Sequence, residues 1–424
     1  MLQDIKYILS LDNLPKNLQK LLKESEAKGW KPLLVGGCVR DALLDRMPYD
    51  FDVEVHGCFD IEDFAAFMQE LFPKVSFVGK SYGVFKVSEN LEVSLPRQDC
   101  KTGPKHQDFS VKILPNANFK QASKRRDLTV NSIGYDVQNE TIMDPYHGRR
   151  DIENKILRCV DKDTFAEDPL RPWRVMQFAS RLQMNPDSEL IELSRSVVLD
   201  ISGDRVYGEC RKWLSAGVDL RAGWVFLIKA KLDRYIPIFQ EFLHKNNHHI
   251  DDVQNALCVL QDQDIDEIDR VTLGLFIVTF LCPKLIKVLH GLSVPMAEQK
   301  RIQAIYTLWS VWSAVRSLDY DLTVQLIKVE ELGMTHTTLC ALADIMAVLV
   351  EEEVDGWHDC VEEWEQAREQ SRPIIEGKDL LALGMKEGPY IGDLLKRCHR
   401  HQVTKAIHNR DILLKWIIST EGEG

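Results

Sequence analysis

The sequence predicts an α+β fold, with an N-terminal mixed sheet followed by an all-α remainder. Three observations predict it. Within residues 1–145, short apolar runs of strand length interleave with stretches of helical spacing. From Asp163 onward nearly every apolar pattern has the helical period. The 424 residues are enough for two or more domains with large cores.

Residues 1–30 read as helix, with Ile5, Ile8, Leu9, Leu18, Leu21 and Leu22 at apolar positions. Residues 33–36 and 51–55 read as strands, with Ala42–Leu44 in a helix between them. Ile61–Phe72 has helical spacing through Phe64, Phe67 and Leu71, and 75–78, 84–87 and 91–95 read as strands. The segment from Arg97 to His106 is punctuated by Gly103 and Pro104 with few apolar residues, which predicts a mobile loop. Ile133–Val137 and Thr141–Met143 form a hairpin around Gln138-Asn139-Glu140. The boundary to the helical part falls near residues 145–160, giving a head over 1–145, a neck over 146–220, and a body and tail over 221–424.

A net charge of −12 argues at first against a nucleic-acid partner. Residues 1–160, however, balance 23 Lys and Arg against 23 Asp and Glu, so the acidic excess lies in the rest. Residues 97–126 hold eight basic residues and two acids, either an electrostatic footprint for a polyanion or a solvated basic loop. No apolar run has transmembrane length, the first residues lack the pattern of a signal peptide, and no membrane association is expected. Ten cysteines without a C-x-x-C pair point to neither zinc nor disulfides and fit a reduced cytoplasm. No protein partner is evident.

Gly36-Gly37-Cys38-Val39-Arg40-Asp41 follows the first strand, and Asp50-Phe51-Asp52-Val53 opens the second. Glycine permits a tight turn and close approach of backbone to phosphate, and the helix that follows favours anions at its start. Asp50 and Asp52 are two apart, so a strand aims both carboxylates at one spot. Two carboxylates sharing a site repel unless a cation neutralises them, and such oxygen donors suit Mg²⁺. Mg²⁺ takes further ligands from substrate phosphates, which points to nucleotidyl transfer. Taken alone, an isolated D-x-D is more often a pair of solvated turn acids; its union with the glycine turn is what gives it weight.

This unit resembles motif A of the DNA polymerase β-like nucleotidyltransferases, specifically the class II tRNA nucleotidyltransferases (CCA-adding enzymes) and their poly(A) polymerase relatives. Gly36, Gly37, Arg40, Asp41 and Leu43-Leu44 match that family's G-G-x-V-R-D-x-L-L pattern. The resemblance implies a palm-like head, Mg²⁺ held by Asp50 and Asp52, and a third acid on a neighbouring strand. Glu92, in the alternating run Leu91–Leu95, is the candidate, against the plain alternative of an outward-facing strand residue. Gly36, Gly37, Arg40 and Asp41 would bind the nucleotide.

Arg125-Arg126-Asp127-Leu128-Thr129-Val130-Asn131 resembles motif B, R-R-D-x-T-x-N. That implies phosphate and ribose recognition by Arg126, Asp127 and Asn131, consistent with the bidentate reach of Arg and the hydroxyl-binding chemistry of Asp and Asn. Asp144-Pro145-Tyr146-His147-Gly148-Arg149-Arg150-Asp151 resembles the hinge motif C, for which a turn and helix cap suffice. Glu167-Asp168-Pro169-Leu170-Arg171-Pro172-Trp173-Arg174 resembles motif D, E-D-x-x-R. With Pro169 opening a helix, Asp168, Arg171 and Arg174 would share one face, either as an ordinary ion pair or as a base reader. The family implies the latter: Asp168 and Arg171 select C or A through the Watson–Crick edge, Glu167 orients them, and Arg174 contacts the nucleotide. Pro172-Trp173 departs from the aliphatic pair expected there and Gln177 from an arginine, and Pro172 can shift the helix start. Ile201–Glu209 resembles motif E, with Ser202 or Asp204 as cap.

The family keeps a loop like 97–106 in enzymes that add the terminal A. The C-terminal 200 residues resemble, loosely, bacterial enzymes carrying a metal-dependent HD phosphohydrolase, with Gly377–Leu380 and Gly388–Gly392 matching more closely. His248-His249 and Asp251-Asp252 stand near the expected first histidine, but Phe280-Leu281-Cys282-Pro283 replaces the His-Asp pair. The region is expected to be a degenerate HD-like body that docks tRNA, with Lys396, Arg397 and Arg400 as local basic groups. The expected partners are the tRNA 3′ end with CTP and ATP. Full CCA addition, A addition alone, a poly(A) polymerase and a catalytically silent RNA-binding scaffold stay open at this point.

Overall fold

The computed structural model describes every residue except 1, 79–82, 102–108, 115, 247–248, 281, 283, 316–319, 351–353, 355, 371–372, 386–387, 406, 408 and 422–424. The chain divides into two compact units. One comprises 1–213 with 217–235, and the other 214–216 with 236–424.

The first unit begins with α1 (Leu2–Ile8) and α2 (Lys16–Ala27). The single helix expected over 1–30 is interrupted by a 3₁₀ turn at Leu11–Asn13. Pro15, extended and without an N–H to donate, starts α2 afresh. A seven-stranded sheet follows, built from β1 (Lys31–Val35), β2 (Phe51–His56), β3 (Ser76–Val78), β4 (Val84–Ser88) and β5 (Leu91–Ser94). The two-stranded pair β6 (Arg97–Lys101) and β7 (Phe109–Ile113) stands apart, and β8 (Gly134–Asp136) and β9 (Thr141–Met143) complete the main sheet. Its order is β3-β4-β5-β2-β1-β8-β9, mixed because β2 and β5 run parallel and the other neighbours antiparallel.

One sheet face is the core. Phe85 meets Phe64 of α4 (Ile61–Leu71) edge-on at 5.1 Å, and Trp30 packs on both Phe64 and Phe67. Leu34, Val53, Val55 and Val93 are buried with them. The opposite face carries the polar residues. Register pairs Val35 with Asp52 and Leu33 with Glu54 on β1 and β2, and Asp52 with Glu92 and Glu54 with Ser94 on β2 and β5. Phe119 of the short α5 (Phe119–Ser123) closes this face beside Leu33 and Val35.

The segment expected to be a mobile loop over 97–106 is instead framed by an antiparallel ladder, β6 with β7. The reason lies downstream: Phe109-Ser110-Val111-Lys112-Ile113 alternates apolar with polar and supplies a partner strand. Thr102–His106 lie outside the described residues.

Beyond the sheet come α6 (Gly148–Glu153), α7 (Lys162–Glu167), α8 (Arg171–Leu182), α9 (Ser188–Ser196), α10 (Gly203–Ala216) and α11 (Leu220–Lys229), with a small parallel bridge between 156–157 and 185–186. Trp213 anchors the end of α10, its indole N–H donating to Leu220 O at 3.0 Å.

The second unit is built of helices, with no strand among its described residues. It contains α12 (Pro237–Lys245), α13 (His249–Gln261), α14 (Glu267–Thr279), α15 (Leu285–Gly291), α16 (Met296–Val315), α17 (Tyr320–Glu331), α18 (His336–Leu349), α19 (Trp357–Gln370), α20 (Gly377–Ala382), α21 (Pro389–Thr404) and α22 (Arg410–Glu421). A buried polar knot ties three helices together: Arg301 of α16 pairs with Asp269 of α14, and Asp269 also accepts from Thr338 of α18. No single helix among the described residues is long and apolar enough to cross a membrane.

Candidate active site

Gly36 adopts φ +78°, a left-handed value that glycine takes without strain, and α3 (Gly37–Leu43) starts directly after it. Its lack of a side chain matters as much as its dihedral. A Cβ there would lie 2.6 Å from Arg126 Nη1 and 3.6 Å from Asp52 Oδ2. The glycine turn, motif B and the second aspartate therefore converge on one point.

Asp52 sits on the polar face of β2 and remains reachable by solvent, yet protein atoms crowd it. Desolvation raises its pKa, Arg126 opposes that rise, and the charge of Asp50 adds to it. Asp50 is exposed and lies one residue before β2, so the pair straddles the strand start rather than occupying one strand. Glu92 is exposed and directly beside Asp52 in the parallel register, which puts both on the same face. Among the described residues no cluster of three His, Cys, Asp or Glu is close enough to form a ready metal cage. The donor set is nevertheless the kind a hard divalent cation takes: solvent-accessible carboxylate oxygens, one of them penalised for ionising without a countercharge.

Motif B is held by a chain of hydrogen bonds. Arg40, buried on α3, donates from Nε to Asp41 at 2.9 Å and from Nη1 to Asn131 Oδ1 at 2.5 Å. Asn131 donates in turn to Asp127 Oδ1 at 3.1 Å, and Arg174 Nε donates to Asp127 Oδ2 at 2.7 Å. Burial pushes the Asp127 carboxyl up, but Arg174, Asn131 and Arg171 outweigh it and hold the pKa down at about 2. Phe178 lies between the two ends of this chain, its ring centre 5.3 Å from the Arg40 guanidinium and 5.1 Å from that of Arg174. Arg126 Nη1 donates to Asn131 O at 3.2 Å.

The motif D residues are placed differently from expectation. Asp168 is not in the helix with Arg171 and Arg174; it is an extended residue after α7, whose last residue is Glu167. α8 begins only at Arg171, because Pro172 occupies its first turn, where a missing N–H costs nothing. Asp168 Oδ1 accepts from Leu170 N at 3.0 Å and lies 3.5 Å from Arg205 Nη2. Arg171 donates to Thr164 O and Arg125 O, both at 2.5 Å, so it ties α7 to motif B. Desolvation lowers its pKa against the pull of Asp127, Asp168 and Glu167.

Motif C is a brace: Asp144 accepts from Gly148 N at 2.7 Å and Arg149 N at 3.0 Å, while Asp151 accepts from Thr129 Oγ1 at 2.7 Å. In motif E, Ser202 occupies the cap position of α10 without a side-chain cap bond to the helix. In the second unit, Arg400 is committed to Glu331 rather than available as a free basic group. His248, Leu281 and Pro283 lie outside the described residues.

Sequence reading missed three residues at this site. Phe178 carries its signal in the i, i+4 spacing from Arg174. Glu54 and His56 continue the alternation of Asp52 along β2, and both are buried.

The mixed sheet thus brings a glycine turn, the acid Asp52 and Arg126 of motif B to one point. The Poly A polymerase head domain family matches residues 33–158. The CCA-adding enzyme of Staphylococcus epidermidis is 30% identical over 240 residues, covering 55% of this chain and 57% of its own length. The chain thus spans little more than half of that relative. The CCA-adding enzyme of Lactococcus lactis subsp. cremoris is 26% identical over 435 residues, 96% of this chain and 97% of that protein. Among solved structures, the Bacillus stearothermophilus CCA-adding enzyme in complex with CTP superposes with a TM-score of 0.63 at 20% identity, covering 97% of this chain and 99% of that one; at that identity it shows the fold alone. Over residues 33–158 the chain thus matches the Poly A polymerase head domain, and along nearly its whole length it is similar to a CCA-adding enzyme.

Proposed function

We propose that the chain is a template-independent tRNA nucleotidyltransferase that adds CCA, or the terminal A, to tRNA 3′ ends from CTP and ATP. The observation that carries this reading is the convergence of Gly36, Asp52 and Arg126, with Gly36 lacking the atom that would block it. The relatives named as CCA-adding enzymes support the choice of tRNA as acceptor.

In this reading Asp50 and Asp52 hold Mg²⁺, with Glu92 as the third acid beside Asp52. Bound there, Mg²⁺ supplies a lowered pKa for the attacking 3′-hydroxyl and neutralises charge on the leaving pyrophosphate. Arg126 faces the triphosphate over the Gly36–Gly37 turn. Arg40 and Asp41 fix the turn from below by way of Asn131. Asp127 and Asn131 present the ribose-binding edge, with Asp127 kept ionised by Arg174. Asp168 and Arg171 read the base, oriented by Glu167, and residues 146–220 serve as the neck that carries them. Residues 221–424 form the helical body and tail on which tRNA docks.

The test is incorporation with Mg²⁺ on three transcripts of one tRNA, ending before CCA, after CC and after CCA, with CTP and ATP singly and together. Completion of the truncated forms followed by a stop is expected, or activity on the CC form alone for an A-adding enzyme. Runaway A addition would make the chain a poly(A) polymerase, and no incorporation would overturn the transferase reading. Asp52→Ala is expected to abolish incorporation while tRNA still binds.

A further inference from the structure

Between the paired acids and the double arginine lies a carboxylate that the proposed reaction does not use. Glu54 is two residues beyond Asp52 on β2, so it shares the polar face, yet it is only 1% exposed. Its Oε1 is 2.9 Å from His56 Nε2, and His56 Nδ1 is 3.2 Å from Ala117 O. Glu54 Oε2 makes no hydrogen bond among the described residues and faces Arg125 Nη2 at 3.5 Å. The Nε atoms of Arg125 and Arg126 are buried without hydrogen bonds as well.

Two adjacent guanidinium groups repel, and holding them together inside a protein needs an anion at close range. The carboxylates within reach have other commitments. Asp127 is bonded to Arg174 and Asn131. Asp52, in the reading above, shares its charge with a divalent cation during turnover. Glu54 differs from both in being almost fully buried with one oxygen, Oε2, turned toward Arg125 and left without a hydrogen bond. Desolvation and Arg125 lower the pKa of Arg126, and Glu54 is the strongest of the carboxylates that counter them. We propose that Glu54, braced by His56, is a positioning residue whose buried charge holds the Arg125–Arg126 pair in the geometry that grips the triphosphate. This assignment rests on the nucleoside-triphosphate reading of the site.

The test uses the full chain on the CC-ending transcript, with kcat and KM for ATP and tRNA, the preference for ATP over CTP, and inhibition by inorganic tripolyphosphate. Glu54→Gln keeps the shape and the oxygen facing His56 but removes the charge. Expected are a rise of about fivefold or more in nucleotide KM and a parallel weakening of tripolyphosphate inhibition. The tRNA KM and the CTP/ATP preference stay as they were. Glu54→Asp, one methylene shorter with its charge retained, is expected to recover the larger part, and it carries the comparison should Glu54→Gln not fold. Wild-type nucleotide KM in Glu54→Gln would overturn the assignment, as would an equal rise in tRNA KM or a folded Glu54→Asp that recovers nothing. An unmutated chain that incorporates neither nucleotide would instead overturn the transferase reading itself.

Discussion

Arg174 Nε donates to Asp127 Oδ2 at 2.7 Å, joining motif D to motif B across 47 residues of sequence. Asp127 is 7% exposed, while a third of Arg174 reaches solvent. The pair is therefore buried at its acidic end, where loss of the partner costs most. Asp127→Asn removes a carboxyl held at about 2 against an ordinary value of 3.8. The group's folded pKa is depressed, so its contribution is complete above 3.8 and is lost as pH falls through about 2. Asp127→Asn is expected to lose roughly 2 kcal/mol at neutral pH and to show a smaller further loss between those values than the unmutated chain. Denaturant midpoints at neutral and acidic pH check this; equal acid sensitivity in the two proteins would contradict it.

Gly36→Ala places a methyl 2.6 Å from Arg126 Nη1 at a backbone φ of +78°. The strained dihedral costs roughly 1 kcal/mol or more in stability. The larger consequence is displacement of Arg126 from Asp52, so incorporation is expected to fall at least tenfold, out of proportion to the loss of thermal stability. Steady-state kinetics beside a melting curve separates the two, and a fully active Gly36→Ala would remove Arg126 from the triphosphate grip.

The contrast between these two sites shows what the sequence could carry. Gly36, Asp52 and Arg126 were legible because each sits in a dense local pattern: a glycine pair after a strand, alternating acids, a double arginine before an aspartate. Their convergence was not, since the strand register that aligns Val35, Asp52 and Glu92 depends on pairing between distant segments. Glu54 and His56 are not legible in the sequence, because polar residues in a strand usually face solvent and only the fold buries them. The helix start at Arg171 was misplaced because Pro169 and Pro172 both suit a first turn. Tertiary ties decide between them: Arg171 reaches the carbonyls of Thr164 and Arg125.

Those two ties make Arg171→Ala a double test. Two backbone carbonyls, Thr164 O and Arg125 O, lose their guanidinium donor, which is expected to cost about 1 to 3 kcal/mol. If Arg171 also reads the base, the ratio of kcat/KM for CTP and ATP on matched transcripts moves toward unity. A stability loss with unchanged discrimination would leave Arg171 as a fastener between α7 and motif B and pass base reading to Asp168.

Gly148 opens α6 against the backbone of motif B. A Cβ there would lie 2.2 Å from Thr129 O and 2.9 Å from Ile133 Cγ1, and neither a backbone carbonyl nor a packed isoleucine can retreat cheaply. Gly148→Ala therefore has to push α6 away, lengthening the Thr129 Oγ1 to Asp151 bond that stands at 2.7 Å. Overpacking of this kind costs roughly 1 to 3 kcal/mol. Because Thr129 is two residues from both Asp127 and Asn131, the displacement is expected to reach the edge proposed above to bind the ribose. Nucleotide KM should rise in a protein that still melts cooperatively. Thr129→Val tests the link from the other side, since it removes the hydroxyl without adding bulk at Gly148. If Gly148→Ala raises KM and Thr129→Val does so by a smaller factor, the hinge motif acts on the site through the position of the Thr129 backbone. Wild-type KM in both would confine motif C to holding the fold.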